Sequence, residues 1–192
     1  MTLIKVIIPA FNEEDSIGLV IKDIPNHVDE IIVVNNNSTD QTEARAQEAG
    51  AVVLRENRPG YGLACLKGMQ YIAAQEQKPD IVVFLDGVYS DYPEQLDELV
   101  TPIIHDGIDF VIGARVKRFR ERGSMTFPQR FGNWLATTLM RWIFDSSFTD
   151  LGPFRAIKYD KLLALHMQDQ TYGWTVEMQL KALKQKLSYV EI

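Results

Sequence analysis

Apolar runs of strand length alternate with helix-spaced apolar patterns over the first 114 residues of this chain, and that alternation constrains the fold more than any other feature. Leu3 to Ile8, Glu30 to Val34, Ala51 to Leu54, Ile81 to Leu85 and Asp109 to Gly113 read as strands. Between them Ile17, Val20, Ile21 and Ile24, and later Leu66, Met69 and Ile72, recur at helical spacing. Asn12 reads as a cap for the first helix, Gly50 closes the second, and Pro93 opens the one after the fourth strand. Strands linked in this way form a mainly parallel, Rossmann-like sheet with helices on both faces and right-handed crossovers. The chain has 192 residues, 46% of them hydrophobic, which suits one domain with one sizeable core. After position 114 the alternation stops. Arg115, Lys117, Arg118, Arg120 and Arg122 follow closely, then an aromatic-rich helical stretch from Phe131 to Phe144, a strand or loop within Phe148 to Ile157, a helix from Trp174 to Lys186, and an extended end from Leu187.

In a parallel sheet the carboxyl ends of the strands share one edge, and ligands bind there. That edge should gather Pro9-Ala10-Phe11-Asn12-Glu13, Asn35-Asn36-Asn37, Arg58-Pro59-Gly60 and Asp86-Gly87. The Ile81 to Leu85 run, ending abruptly in Asp86, places a carboxylate where chemistry is expected. Other chemistries lack their signatures. There is no GxxxxGK[ST] phosphate loop, and Pro-Ala-Phe-Asn-Glu replaces the glycine-rich first turn of dinucleotide folds and nucleotidyltransferases. His27, His105 and His166 fall in or beside helices, which disfavours a Ser-His-Asp site. A net charge of −6 argues against general nucleic-acid binding. The single cysteine, Cys65, reads as a small buried residue of a protein in a reducing, cytoplasmic setting. No apolar run approaches the roughly 20 residues that cross a bilayer.

With these segments in order, the chain resembles the inverting family 2 glycosyltransferases of GT-A fold, particularly the polyprenyl-phosphate, dolichol-phosphate mannose synthase-like branch. The resemblance is carried by Ile7 to Glu13, Val34 to Asp40, Gly60-Tyr61-Gly62-Leu63-Ala64, Leu85-Asp86-Gly87-Val88, Gly113-Ala114-Arg115 and Asp150 to Arg155. It implies a single domain over 1–192, with a nucleotide-binding half, 1–114, and an acceptor-side half, 115–192. The implied activity is transfer of a sugar from a nucleotide-diphosphate donor with Mg²⁺ or Mn²⁺ bridging the diphosphate. Pro9, Ala10, Asn12, Glu13 and Asn35 would surround base and ribose, and Arg58 with the Gly60 to Gly62 backbone would approach phosphate. Asp86 and Gly87 would face the donor, with Asp86 as metal ligand assisted by Asp91. Arg115, Arg118 and Arg130 would hold the phosphate of a polyprenyl-phosphate acceptor, itself a nucleophile at neutral pH.

Two positions depart from the family pattern. Asn35 stands in place of an aspartate, and Val88 takes the place of the second carboxylate of the DxD segment, where an isopropyl group offers a hard cation nothing. A non-catalytic nucleotide-sugar-binding protein is therefore the competing expectation. The basic stretch and the Phe131 to Phe144 helix are compatible with contact at the inner face of an anionic membrane, as well as with a solvated loop and ordinary core packing. Relatives usually run on past the equivalent of Ile192, so the chain is expected to be a truncated form.

Overall fold

The computed structural model describes residues 2–89, 92–113 and 137–192. Strand β1 (Ile4–Ala10) lies between β2 (Glu30–Asn35) and β4 (Ile81–Phe84), parallel to both, and β3 (Val52–Arg55) extends the sheet beyond β2. Among the described residues, seven strands run in the order β3-β2-β1-β4-β6-β5-β7. The expected strand at 109–113 is β5 (Phe110–Ile112), but it does not pair with β4. Between them sits β6 (Arg155–Lys158), antiparallel to both neighbours, and β7 (Tyr189–Glu191) then adds parallel to β5.

Alternate side chains of the strands divide into two apolar layers. Ile4, Val6, Ile8 and Ala10 face α1 (Ile17–Asp23) and α4 (Leu96–His105), which contributes Leu96, Leu99, Val100 and Ile103. On the opposite layer, Ile7, Val82, Phe84 and Phe110 pack with Ala64, Cys65 and Ile72 of α3 (Tyr61–Ala74) and with Trp174, Met178 and Ala182 of α7 (Trp174–Lys184). The short α2 (Thr42–Glu48) and α6 (Tyr159–Ala164), and residues 137–144 as α5, are the other α-helices among the described residues. Burying a side chain such as Ile7 or Ile8 contributes roughly 1.5–3 kcal/mol. Polar residues are accordingly kept out of the middle of the sheet. Lys5, 7% exposed, is retained because its ammonium meets Glu30 at 2.9 Å, and Tyr71 and Gln75 also donate to that carboxylate.

The helix starts correct one expectation. Asn12 does not cap α1; it adopts φ 55°, and its Oδ1 accepts the Thr39 N–H at 2.9 Å while α1 begins five residues later. Its side chain is spent on joining the β1 and β2 turns. Pro93 does open a helical segment, a 3₁₀ turn (Pro93–Gln95) that continues into α4, and Gly50 closes α2 at φ 94°. No helix among the described residues is long and apolar enough to cross a membrane.

The packing of α3 on β1 depends on a glycine. A Cβ on Gly68 would lie 2.8 Å from Ile7 Cγ2, so Gly68→Ala is expected to lower stability by about 1–3 kcal/mol in urea denaturation. A Cβ at Gly18 in α1 meets nothing within 4 Å, and Gly18→Ala should instead raise stability by about 0.5–1 kcal/mol.

Candidate active site

The carboxyl ends of β1, β2 and β4 and the chain beyond β3 meet as the sequence implies, and side chains knit them together. The Asn36 N–H donates to Ala10 O at 2.8 Å, and the Asn12 N–H donates to Ser38 Oγ at 3.0 Å. The Glu13 N–H reaches Thr42 Oγ1 at 2.7 Å, while Ser16 Oγ lies 2.9 Å from the Glu13 carboxylate and 2.8 Å from Gly87 O. Gly87 is buried so closely that a Cβ there would touch Ala10 Cβ and Glu13 Cγ, each at 3.4 Å. Pro9 and Ala10 are the last residues of β1, paired with Val34 and Asn35 of β2.

Asn35 is 8% exposed and its amide is used internally. Oδ1 accepts the Ser38 N–H at 2.9 Å and Nδ2 donates to Glu43 at 3.1 Å, where Arg55 also binds with two nitrogens. The Arg55 guanidinium holds the Glu43 carboxyl below its ordinary range. A carboxylate at position 35 would confront Glu43 with like charge; the amide donates instead. Arg58 directs its exposed guanidinium at Glu56, 3.1 Å away, which depresses the Glu56 carboxyl.

Asn36, absent from the expected site residues, does more to shape this edge than Asn35. Its Nδ2 donates to the carbonyls of Glu56, at 3.0 Å, and Arg58, at 2.7 Å, and its Oδ1 accepts the Gly60 N–H at 2.8 Å. The side chain thus ties the β2 turn to the start of α3. A buried asparagine beside a second asparagine carries no sequence signal of which one makes the tie.

The Gly60 to Gly62 segment, whose backbone was expected to approach phosphate, packs against the chain's own residues 169–171. A Cβ on Gly62 would sit 2.1 Å from Asp169 O, and one on Gly60 2.2 Å from Gln170 O. The Gly62 and Leu63 N–H groups donate to the carbonyls of Thr171 at 3.1 Å and Gln170 at 3.2 Å, so these donors at the start of α3 are already taken. What α3 presents to the strand edge is the Tyr61 hydroxyl, which donates to Asp86 Oδ1 at 2.9 Å.

Asp86 stands two residues beyond the last residue of β4, half-buried and preceded by the fully buried Leu85. A cation lies near it in the core. Arg155, 0% exposed, enters at the start of β6 opposite Phe84 and donates to the carbonyls of Gly152 at 3.1 Å, Leu151 at 3.2 Å and Thr175 at 3.1 Å. It also lies 5.9 Å from the centre of the Phe110 ring. Burial lowers its pKa to about 10, against the stabilising charges of Asp150 and Asp86. Desolvation and the negative charge of Asp86 push both the Tyr61 hydroxyl and the Cys65 thiol well up. The sequence marks the Asp150 to Arg155 segment but does not reveal that its arginine turns inward.

Val88 is 47% exposed beside Asp86, and among the described residues no three His, Cys, Asp or Glu side chains converge on a common point. One hard carboxylate, Asp86, suits a divalent ion that arrives on a diphosphate and takes most of its oxygens from phosphate and water; it does not suit a resident protein-caged ion. Asp91, Arg115, Arg118 and Arg130 lie outside the described residues, as does the start of the helix expected over Phe131 to Phe144. The histidines stand apart from this edge: His27 pairs with Asp97 at 3.0 Å, His105 ends α4, and His166 follows α6.

Cys65 gives this region a pH signature. Its folded pKa is raised above its ordinary 9.0, so its contribution to stability is complete below that value and declines as the unfolded thiol ionises above it. Between pH 8.5 and 10 the wild type should lose stability more steeply than Cys65→Ala, by up to about 1.4 kcal/mol per pH unit, read from urea midpoints.

A family model described as "Glycosyl transferase family 2" matches residues 5–165. An uncharacterized protein of Methanocaldococcus jannaschii is 33% identical over 67% of this chain and 53% of its own length, so the chain spans about half of that relative. The UDP-N-acetylglucosamine–dolichyl-phosphate N-acetylglucosaminyltransferase of Methanococcus voltae is 27% identical over 99% of this chain and 84% of its own. Among solved structures, glucosyl-3-phosphoglycerate synthase from Mycobacterium tuberculosis, in complex with Mn²⁺, uridine diphosphate and phosphoglyceric acid, matches with a TM-score of 0.79 at 26% identity. The match covers 99% of this chain and 68% of that one. The two named enzymes differ in acceptor, and the similarity reaches the family without selecting a branch within it.

Proposed function

The chain belongs to glycosyl transferase family 2, and from that premise we propose that it transfers a sugar from a nucleoside diphosphate donor to a polyprenyl phosphate, with inversion at the anomeric carbon. The observation that carries this reading is the placement of Asp86 at the carboxyl end of β4, beside the joined turns of β1 and β2, with Tyr61 bonded to it. Pro9, Ala10, Asn12 and Glu13 line the base and ribose, and Asn35 fixes the β2 turn that forms the adjoining wall. Arg58, exposed at the same edge, exchanges Glu56 for phosphate. Asp86 and Gly87 meet the diphosphate, and Asp91 serves as a further metal ligand, directly or through water. The acceptor side is residues 115–192, where Arg115, Arg118 and Arg130 grip the acceptor phosphate in two-pronged hydrogen bonds.

In the reaction an acceptor phosphate oxygen forms the bond to the anomeric carbon as the bond from that carbon to the donor diphosphate breaks. The electron pair leaves with the nucleoside diphosphate. A phosphate monoester is largely doubly ionised at neutral pH, its second pKa being about 6, so the chain's residues have only to align it and not to deprotonate it. Asp86 would hold the Mn²⁺ or Mg²⁺, which would neutralise the charge on the leaving diphosphate. Support for the acceptor class comes from the dolichyl-phosphate relative, which matches nearly the whole chain, and for the metal from the Mn²⁺ complex of the synthase.

Val88 favours a second reading, a donor-binding protein with weakened transfer. Its exposed isopropyl group puts an apolar surface beside Asp86 and removes a ligand. A panel of UDP-, GDP- and dTDP-sugars with and without Mn²⁺, scored for sugar incorporated into polyprenyl phosphate, separates the two. Transfer supports the first reading; donor binding with no transfer supports the second, and no binding by any donor rejects both. Val88→Asp adds a hard oxygen, and it should lower the Mn²⁺ concentration needed for nucleotide binding by about tenfold, equivalent to about 1.4 kcal/mol. Equal, tight metal dependence in both proteins would show that position 88 does not limit the site.

A further inference from the structure

Between two glycines that admit the 169–171 backbone, Tyr61 is the side chain that α3 sends to Asp86. We propose that Tyr61 is a positioning residue that fixes the Asp86 carboxylate for the donor complex, with residues 168–172 as the clamp that holds Tyr61; this rests on the donor-site reading above. An aspartate at the end of a strand has a broad, two-fold preference about its last torsion, so its oxygens need an external group to set their direction. A donor 2.9 Å from Oδ1 sets the plane of the carboxylate and hence the direction in which both oxygens face.

Tyr61 in turn is held from behind. Tyr172 stacks on it with ring centres 6.4 Å apart and planes 25° from parallel, although Tyr172 is otherwise 86% exposed. The segment carrying Tyr172 is held at its start and braced within. Glu177 of α7 accepts the N–H groups of Gln168 at 3.0 Å and Asp169 at 2.8 Å, and Asp169 Oδ1 accepts the Thr171 N–H at 2.7 Å. Lys181 secures Glu177 at 2.7 Å. The Gly62 and Leu63 N–H groups of α3 donate to the Thr171 and Gln170 carbonyls and hold the clamp against the two residues that follow Tyr61. A role confined to packing would need only the ring; the hydroxyl matters if the carboxylate must be aimed.

The test is calorimetric titration of the whole chain with whichever of UDP, GDP or dTDP the wild type binds best, at a series of Mn²⁺ concentrations. Tyr61→Phe keeps the ring and removes the donor. The Mn²⁺ concentration for half-maximal nucleotide binding should rise by about 10–100-fold, with the thermal midpoint nearly unchanged and binding restored at saturating Mn²⁺. Tyr172→Ala should move the same quantity in the same direction by a smaller factor. An unchanged Mn²⁺ requirement in Tyr61→Phe overturns the positioning role while leaving the donor site intact. If Tyr61→Phe does not fold, an unchanged requirement in Tyr172→Ala overturns the role on its own. Absence of Mn²⁺-linked nucleotide binding in the wild type overturns the donor-site reading, and the inference falls with it.

Discussion

Burial of β1 and β4 on both faces is the constraint from which the rest of this structure follows. Their side chains point alternately into two apolar layers, leaving polar groups a place only where the strands end. The parallel pairing of β1 with β2 and β4 brings those ends to a common edge. Polar chemistry on this chain is therefore concentrated by the hydrophobic effect before any particular hydrogen bond is considered. Asn36, Ser16 and Thr42 then convert proximity into fixed geometry, since each satisfies backbone groups from a turn other than its own.

Arg155 adds an electrostatic layer. A fully buried guanidinium is costly to desolvate, and carbonyl oxygens and an aromatic ring surround it while the carboxylates of Asp150 and Asp86 act on it through space. The fall of its pKa to about 10 measures that cost, and at neutral pH the group still carries its charge. The same low-dielectric neighbourhood keeps Tyr61 and Cys65 protonated. Asp86 is thus flanked by a neutral hydrogen-bond donor and a nearby permanent cation, each delivered by a different element.

Periodicity made the first five strands and the edge bearing Asp86 legible, because continuous β-branched runs and strand-end carboxylates are local patterns. The insertion of β6 was not legible in the same way. Arg155-Ala-Ile-Lys158 is a short run bounded by charges, and its place between β4 and β5 is a long-range pairing that buries the arginine. Tyr61 and Asn36 escaped for a related reason. The glycines around Tyr61 look like a ligand-approach loop, yet their purpose is set by residues more than a hundred positions later in the chain. Asn12 illustrates the competition directly: a residue suited to capping its own helix is captured by the Thr39 N–H of the neighbouring turn. Asp91 and the arginines at 115 and 130 lie outside the described residues, and their part in the site stands on resemblance.

The position of β6 also bears on the order in which the chain can assemble. Strand β5 pairs only with β6 and β7, both of which follow it in sequence. As the chain emerges during synthesis, β1 to β4 can join as they appear, while β5 must wait more than forty residues for its first partner. One half of the sheet grows outward with synthesis, while in the other β6 must enter between β4 and the earlier-made β5. The buried arginine arrives with that closure, so the charge environment of Asp86 is completed by a strand made after β5.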